Sequence, residues 1–128
     1  MLDDFIQKLK IKKGSVLLLT ENSLTLLIAM KKREKAFSFD LLIDKLIEKL
    51  GNNGTLLIQT FDWRFCNGKK FDILNSKSQT SFLGNTALKR DDFIRTKHPI
   101  YSFAVTGKYK DELENVTNKG ANDINSPF

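Results

Sequence analysis

The sequence predicts an α/β fold whose sheet contains a parallel strand-helix-strand unit with helices packed on it. Three observations carry that prediction. Phe39, Leu42, Ile43, Leu46, Ile47 and Leu50 fall at i, i+3, i+4, i+7, i+8 and i+11, which makes one apolar helical stripe. Two short, mainly apolar runs flank it, Ser15–Thr20 and Thr55–Thr60, each bounded by turn-formers. Runs of that kind suit strands buried on both faces, and strand, helix, strand in this order implies a parallel, right-handed crossover.

Each element follows from local chemistry. Phe5, Ile6 and Leu9 give Leu2–Leu9 an apolar side, Asp3 or Asp4 is placed to cap it, and Lys12-Lys13-Gly14 ends it. Glu21-Asn22-Ser23 breaks the first strand, and the next run, Leu24–Met30, is too short and too uniformly apolar to classify by period. Ser38 can cap the striped helix, Asp40 suits its positive end, and Gly51 can take a positive-φ position after it. Asn52-Asn53-Gly54 turns the chain into the second strand.

Asp62–Ser81 is polar, punctuated by Gly68 and interspersed with Trp63, Phe65 and Phe71. It reads as a long loop of the kind that often carries function. Asn85–Ile94 is a helix candidate through Ala87, Leu88 and Phe93. Pro99 disfavours helix at His98. Tyr101–Val105 reads as a third strand and Lys110–Asn118 as a helix. Neither repeats nor a dividing linker appear, so residues 1–128 read as a single domain.

Composition narrows the function classes. With 41% apolar and 28% charged residues and ten phenylalanines, the chain has ordinary globular composition and ample core material. Its apolar runs fall short of the roughly 20 residues that span a bilayer. Asp3 and Asp4 near the start do not fit a secretory signal. The single cysteine, Cys66, permits no internal disulfide. The expectation is a cytoplasmic, soluble protein without a membrane partner. A net charge of +6 invites a nucleic-acid reading. The lysines are dispersed and no nucleic-acid motif accompanies them, so a solvated basic surface is expected and no nucleic-acid partner.

Four landmarks then occur in a fixed order. They are Ile11-Lys12-Lys13-Gly14-Ser15 with its apolar strand; Leu50-Gly51-Asn52-Asn53-Gly54-Thr55-Leu56-Leu57-Ile58 leading to Thr60-Phe61-Asp62-Trp63; Phe71-Asp72 with Ser81-Phe82-Leu83-Gly84-Asn85; and Arg95-Thr96-Lys97-His98-Pro99-Ile100-Tyr101-Ser102. The ordered set resembles the N-terminal portion of the aminoglycoside 3-N-acetyltransferase (antibiotic N-acetyltransferase) family, and Ser126-Pro127-Phe128 is similar to the motif that leads into that family's second half. Of Glu21-Asn22-Ser23-Leu24, only Ser23 and Leu24 match, and Gln59 stands where the family has proline. The family's histidine–glutamate general-base pair lies beyond the last landmark. The resemblance therefore implies a fold incomplete relative to the family's, with acetyl-CoA as acyl donor and a small-molecule amine as acceptor.

It further implies that the segments after the first strand and around His98 belong to the coenzyme A side of a cleft. Ser23, Leu24, Thr96 and Ser102 would then meet the pantetheine arm or thioester oxygen, and Arg95 or Lys97 the phosphates. His98 is the one candidate base, because a free imidazole titrates near pH 6.5. The competing reading is that it orders the turn before Pro99 through backbone bonds. Cys66 reads as a packing or loop thiol. Asp62 and Trp63 can line an acceptor pocket, or Trp63 can be core.

The functional expectation is an acetyl-CoA-dependent N-acetyltransferase, or a fragment of one, acting on an aminoglycoside or a related amino sugar. Aminoglycosides are polycations that call for an acidic pocket. Since this portion is basic, either the acids lie elsewhere or the acceptor is a less cationic amino sugar. The alternatives are a catalytically inactive CoA-binding remnant and a basic nucleic-acid-binding module. A fragment also exposes apolar surface that its complement would cover, which favours self-association.

Overall fold

In the computed structural model, residues 2–20, 22–61, 67–68, 73, 76–78, 81–98 and 101–116 are described. The elements run α1 (Leu2–Lys8), β1 (Val16–Leu19), α2 (Ser23–Arg33), α3 (Phe39–Leu50), β2 (Thr55–Gln59), α4 (Phe82–Leu88), β3 (Ile94–Arg95), β4 (Phe103–Gly107) and α5 (Lys110–Glu114). The strands form one sheet in the order β1-β2-β4-β3. β1 and β2 are parallel, Val16 opposite Thr55 and Leu19 opposite Ile58. β4 runs antiparallel to β2 and pairs with the short β3. The mixed α/β architecture with a parallel strand-helix-strand unit is thus the one expected, with two helices in the crossover in place of one. No helix among the described residues is long and apolar enough to cross a membrane.

Pleating sorts the side chains onto two faces. Leu17, Leu19, Leu56, Ile58 and Ala104 point to the face covered by α1, α3 and α4, where they join Leu42, Ile43, Leu46, Leu83 and Ala87 in the main core. The other face carries a small cluster of Leu57, Phe103 and Val105, against which Phe61, Ile94 and Leu113 of α5 pack.

Four expectations need correction. β1 is not buried on both faces: it is an edge strand, and Val16 and Leu18 remain 56% and 53% exposed because the second cluster covers only β2, β4 and β3. The unclassified run after it is helical. Asn22 caps α2 by accepting from Thr25 N, so the polar triplet taken as a break is a helix start. The helix expected over Asn85–Ile94 lies earlier, at Phe82–Leu88, because Ser81 caps it through Gly84 N at 2.7 Å. Lastly, the C-terminal end of the window expected as that helix holds β3, and the third strand begins at Phe103, two residues later than expected. The expectations at Asp62, Trp63, Cys66, Phe71, Asp72, Pro99 and the tail from Gly120 fall outside the described residues.

α3 follows its pattern closely. Ser38 accepts from Leu41 N, and Phe39, Leu42, Ile43, Leu46 and Leu50 are buried. Gly51 ends the helix at φ 71°, ψ −174°, a region open essentially to glycine alone. Its outward face is tied down by Arg90, which reaches Asp40 at 3.2 Å, Asp44 at 2.7 Å and Asp92 at 2.9 Å. This cluster fixes the turn that leads into β3.

Leu46→Ala is expected to destabilise the fold by about 2–5 kcal/mol in urea unfolding, because the side chain is buried in the main core. Leu18→Ala should cost clearly less. Equal costs would contradict the assignment of a single covered face around β1.

Candidate functional site

The parallel pair defines an end. Chains leaving the carboxyl ends of parallel strands open a crevice in which α/β proteins bind ligands. Here β1 exits toward Asn22 and Ser23, and β2 exits at Thr60. A continuous buried polar network occupies that end.

One part of it joins two helix starts. Ser23 at the head of α2 accepts from Leu83 N at 3.2 Å and lies 3.3 Å from the Ser81 hydroxyl. Ser81 in turn caps α4. Two first-turn N–H groups of α4 are thereby satisfied by one serine of its own and one from α2. Ser81 N donates to the Ser78 hydroxyl, which donates to Phe61 O at 3.1 Å, so the chain passes directly to the end of β2. Gly84 makes the closeness possible: a Cβ there would lie 2.2 Å from Gln59 O.

The other part centres on Arg95, only 5% exposed. Its Nε donates to Ser102 Oγ at 2.8 Å and one terminal nitrogen donates to Thr60 O at 3.0 Å. The other terminal nitrogen donates to Ser76 O. Ser102 donates its own proton to Thr60 O at 3.0 Å. A hydroxyl has one proton, so Thr60 Oγ1 must be the donor in its 2.8 Å contact with Ser102. Thr60 N also donates to Ser102 O, which extends the β2–β4 ladder by one rung. Arg95, Thr60 and Ser102 all lie on the helix-covered face, where hydrogen bonds from the guanidinium to these oxygens offset the cost of burying it.

Thr96 and His98 order the β3–β4 connection. Thr96 exchanges bonds with Phe103, its N donating to Phe103 O and its Oγ1 accepting from Phe103 N, both at 2.9 Å. His98 N donates to Thr96 O, and Tyr101 N donates to His98 Nδ1 at 2.8 Å. That bond requires an unprotonated Nδ1, so the neutral ring carries its hydrogen on Nε2. Burial pushes the imidazole below its ordinary pKa of 6.5. The ring lies 5.3 Å from that of Tyr101, which meets Phe61 edge-on.

Ser23, Leu24, Arg95, Thr96, His98 and Ser102, singled out from the sequence, are thus brought to one end of the sheet, in different poses. Leu24 is exposed, whereas Ser23, Arg95, Thr96, His98 and Ser102 are buried. Sequence reasoning missed Thr60, Ser76, Ser78 and Ser81. Ser81-x-x-Gly84 at capping spacing was a readable signal for one of them. The remainder sit in irregular segments whose partners lie far away in sequence.

The chain belongs to the aminoglycoside 3-N-acetyltransferase family: a sequence model of that family matches residues 30–128. Solved aminoglycoside acetyltransferases share the fold. AAC(3)-Xa superposes with a TM-score of 0.66 at 17% identity, over 91% of this chain and 46% of its own. AAC-VIa bound to sisomicin gives 0.66 at 17%, over 94% and 49%. The AAC-IIIb binary complex with CoASH gives 0.64 at 15%, over 91% and 48%. The chain therefore spans about half the length of the structures it matches. No curated relative matches the sequence.

The His98 geometry sets a pH dependence. The folded state holds the proton less readily than the unfolded chain, so protons taken up below about pH 6.5 favour unfolding. This contribution to stability is complete above that pH and is lost as the pH falls. Wild type should lose more melting temperature between pH 7.5 and pH 5 than His98→Gln does. Parallel losses would show that the ring is protonated without cost in the fold.

Proposed function

We propose that these residues form the acyl-donor side of an N-acetyltransferase that uses acetyl-CoA and acetylates an amino group of an aminoglycoside or related amino sugar. The observation that carries this reading is the buried hydroxyl–guanidinium network at the carboxyl ends of β1 and β2, beside the start of α2, in a chain of this family. That CoASH and sisomicin occur with two structures of the same fold supports the choice of donor and acceptor.

The donor suits the residues present. Exposed Leu24 offers an apolar flank for a pantetheine arm, and the first turn of the eleven-residue α2 offers a positive dipole end next to it. Ser23, Arg95, Thr96 and Ser102 are the cofactor residues named from the sequence that stand behind this lip. Their role in the proposal is to hold the wall of the cleft against β2 and β4. Acetyl-CoA supplies an activated acetyl group. Transfer forms the C–N bond, breaks the C–S bond, protonates the leaving thiolate and requires a base for the proton of the attacking amine.

The single histidine of these residues is occupied in that respect, because its Nδ1 lone pair accepts from Tyr101 N. The base is therefore assigned to the part of the family fold that this chain does not span, in keeping with the family's histidine–glutamate pair. The 128-residue chain is expected to bind coenzyme A in calorimetric titration. It should acetylate a panel of aminoglycosides and amino sugars roughly 10²–10⁴-fold more slowly than a chain spanning the whole fold. Leu24→Asp should weaken the binding. Absence of coenzyme A binding would overturn the reading, and fast turnover abolished by His98→Ala would move the base to this chain.

A further inference from the structure

The sequence holds two Asn-Gly pairs, Asn53-Gly54 and Asn67-Gly68. An asparagine followed by glycine is the arrangement most open to attack by the backbone on the asparagine side chain. The glycine nitrogen has no Cβ beside it to hinder its approach to the asparagine Cγ. Acetyl transfer, as read above, uses neither pair, and the fold treats the two in opposite ways.

Asn53-Gly54 lies in the turn between α3 and β2, where Asn53 is exposed and Gly54 is buried. Gly54 N donates to Gly51 O at 3.2 Å, and Gly54 O accepts from Lys108 N at 3.0 Å. A Cβ on Gly54 would lie 2.6 Å from Leu50 Cβ, and a Cβ on Gly107 would lie 2.2 Å from Gly54 O. The end of α3 and the end of β4 therefore hold this peptide from two sides. Thr55 N continues the restraint by donating to Ser15 O at 3.1 Å. Attack requires the glycine nitrogen to leave its hydrogen bond and turn toward Cγ. At Gly54 that movement requires the turn and the adjoining strand ends to open together, as amide exchange does.

Asn67-Gly68 is placed differently. Both residues are exposed, and Gly68 has φ 80°. Among the described residues, nothing lies within 4 Å of the position that a Cβ on Gly68 would take. Reorientation of this peptide meets none of the packing that surrounds Gly54.

We propose that Asn67 is a site of spontaneous deamidation in the folded protein, and that the fold protects Asn53 from the same reaction. Gly68 N forms a bond to Asn67 Cγ, the Cγ–Nδ2 bond breaks, and the side-chain amide leaves as ammonia with the proton given up by Gly68 N. The product is a cyclic succinimide. Water then adds to one of its two carbonyls. Opening on the Cγ side restores the backbone and leaves an aspartyl side chain. Opening on the α-carbonyl side leaves an isoaspartyl link, in which the backbone runs through Cβ. Water is the one co-reactant and no electrons are transferred. Either product adds a carboxylate to a chain of net charge +6, inside the long polar stretch Asp62–Ser81.

The test is a timed incubation of the 128-residue chain in mildly alkaline buffer, folded and in parallel unfolded in urea. Peptide mapping by mass spectrometry follows the conversion of each asparagine, and an isoaspartyl-specific carboxyl methyltransferase counts the isoaspartyl product. In the folded chain Asn67 should convert at least about tenfold faster than Asn53, because reaction at Asn53 waits for a cooperative opening. In urea the two should convert within about threefold of each other, and Asn67 should keep most of its urea rate when folded. Asn67→Gln, with an unchanged circular dichroism spectrum, should remove the fast conversion, since the longer side chain closes the ring far less readily. Equal rates at Asn53 and Asn67 in the folded chain would overturn the proposal. So would a folded-state rate at Asn67 about tenfold or more below its rate in urea, which would mean that the fold protects this pair as well.

Discussion

The Arg95 guanidinium is the contact on which the rest of this end of the molecule depends. It ties together three segments far apart in sequence: Thr60 after β2, Ser102 before β4 and Ser76 in the connection ahead of α4. These three acceptors are uncharged, and the number and direction of the hydrogen bonds to them fix where the guanidinium lies. Bonds to an ionised donor contribute about 1.5–3 kcal/mol each, and removing that donor takes one such bond from each of Thr60 O, Ser102 Oγ and Ser76 O. The planar fork matters as much as the charge, because Nε and the terminal nitrogens point to different segments. A lysine has no equivalent reach.

The consequence travels through the network. With Ser76 and Thr60 held, Ser78 reaches Phe61 O and Ser81, and Ser81 meets Ser23 at the head of α2. Two helix starts and the ends of two strands thus share one set of buried hydroxyls. Such networks are costly when partly satisfied and rigid when complete. Rigidity here sets the positions of the exposed Leu24 on one side and Phe82 on the other.

How much of this was legible depends on how local each cause is. The α3 stripe, its Ser38 cap and the flanking strands were readable because periodicity and capping act over a few residues. Leu24–Met30 was not, since a nearly all-apolar run has no polar positions to reveal its period. It took Asn22 to start the helix. β1 looked doubly buried because its composition matches a central strand, while its exposure depends on which elements lie above it. A two-residue strand such as β3 leaves no pattern at all. The resemblance offers Arg95 or Lys97 to phosphate, and nothing in the neighbourhood of Arg95 announces that Ser76 and Thr60, 19 and 35 residues away, will bond to it. His98 was the reverse case: a backbone-ordering role was one of the two readings, and the Tyr101 N–H bond gives that role a geometry.

Residue-resolved amide hydrogen exchange on wild type and Arg95→Lys tests the central dependence most directly. The variant keeps the charge and discards the fork. If the network rests on the guanidinium, protection should fall at Thr60, Ser78 and Ser81 and remain at Leu42–Leu46 of α3, whose packing does not involve Arg95. Unchanged protection at Thr60 and Ser81 in the variant would contradict the account, because it would mean that the hydroxyls hold this end of the sheet together without the arginine.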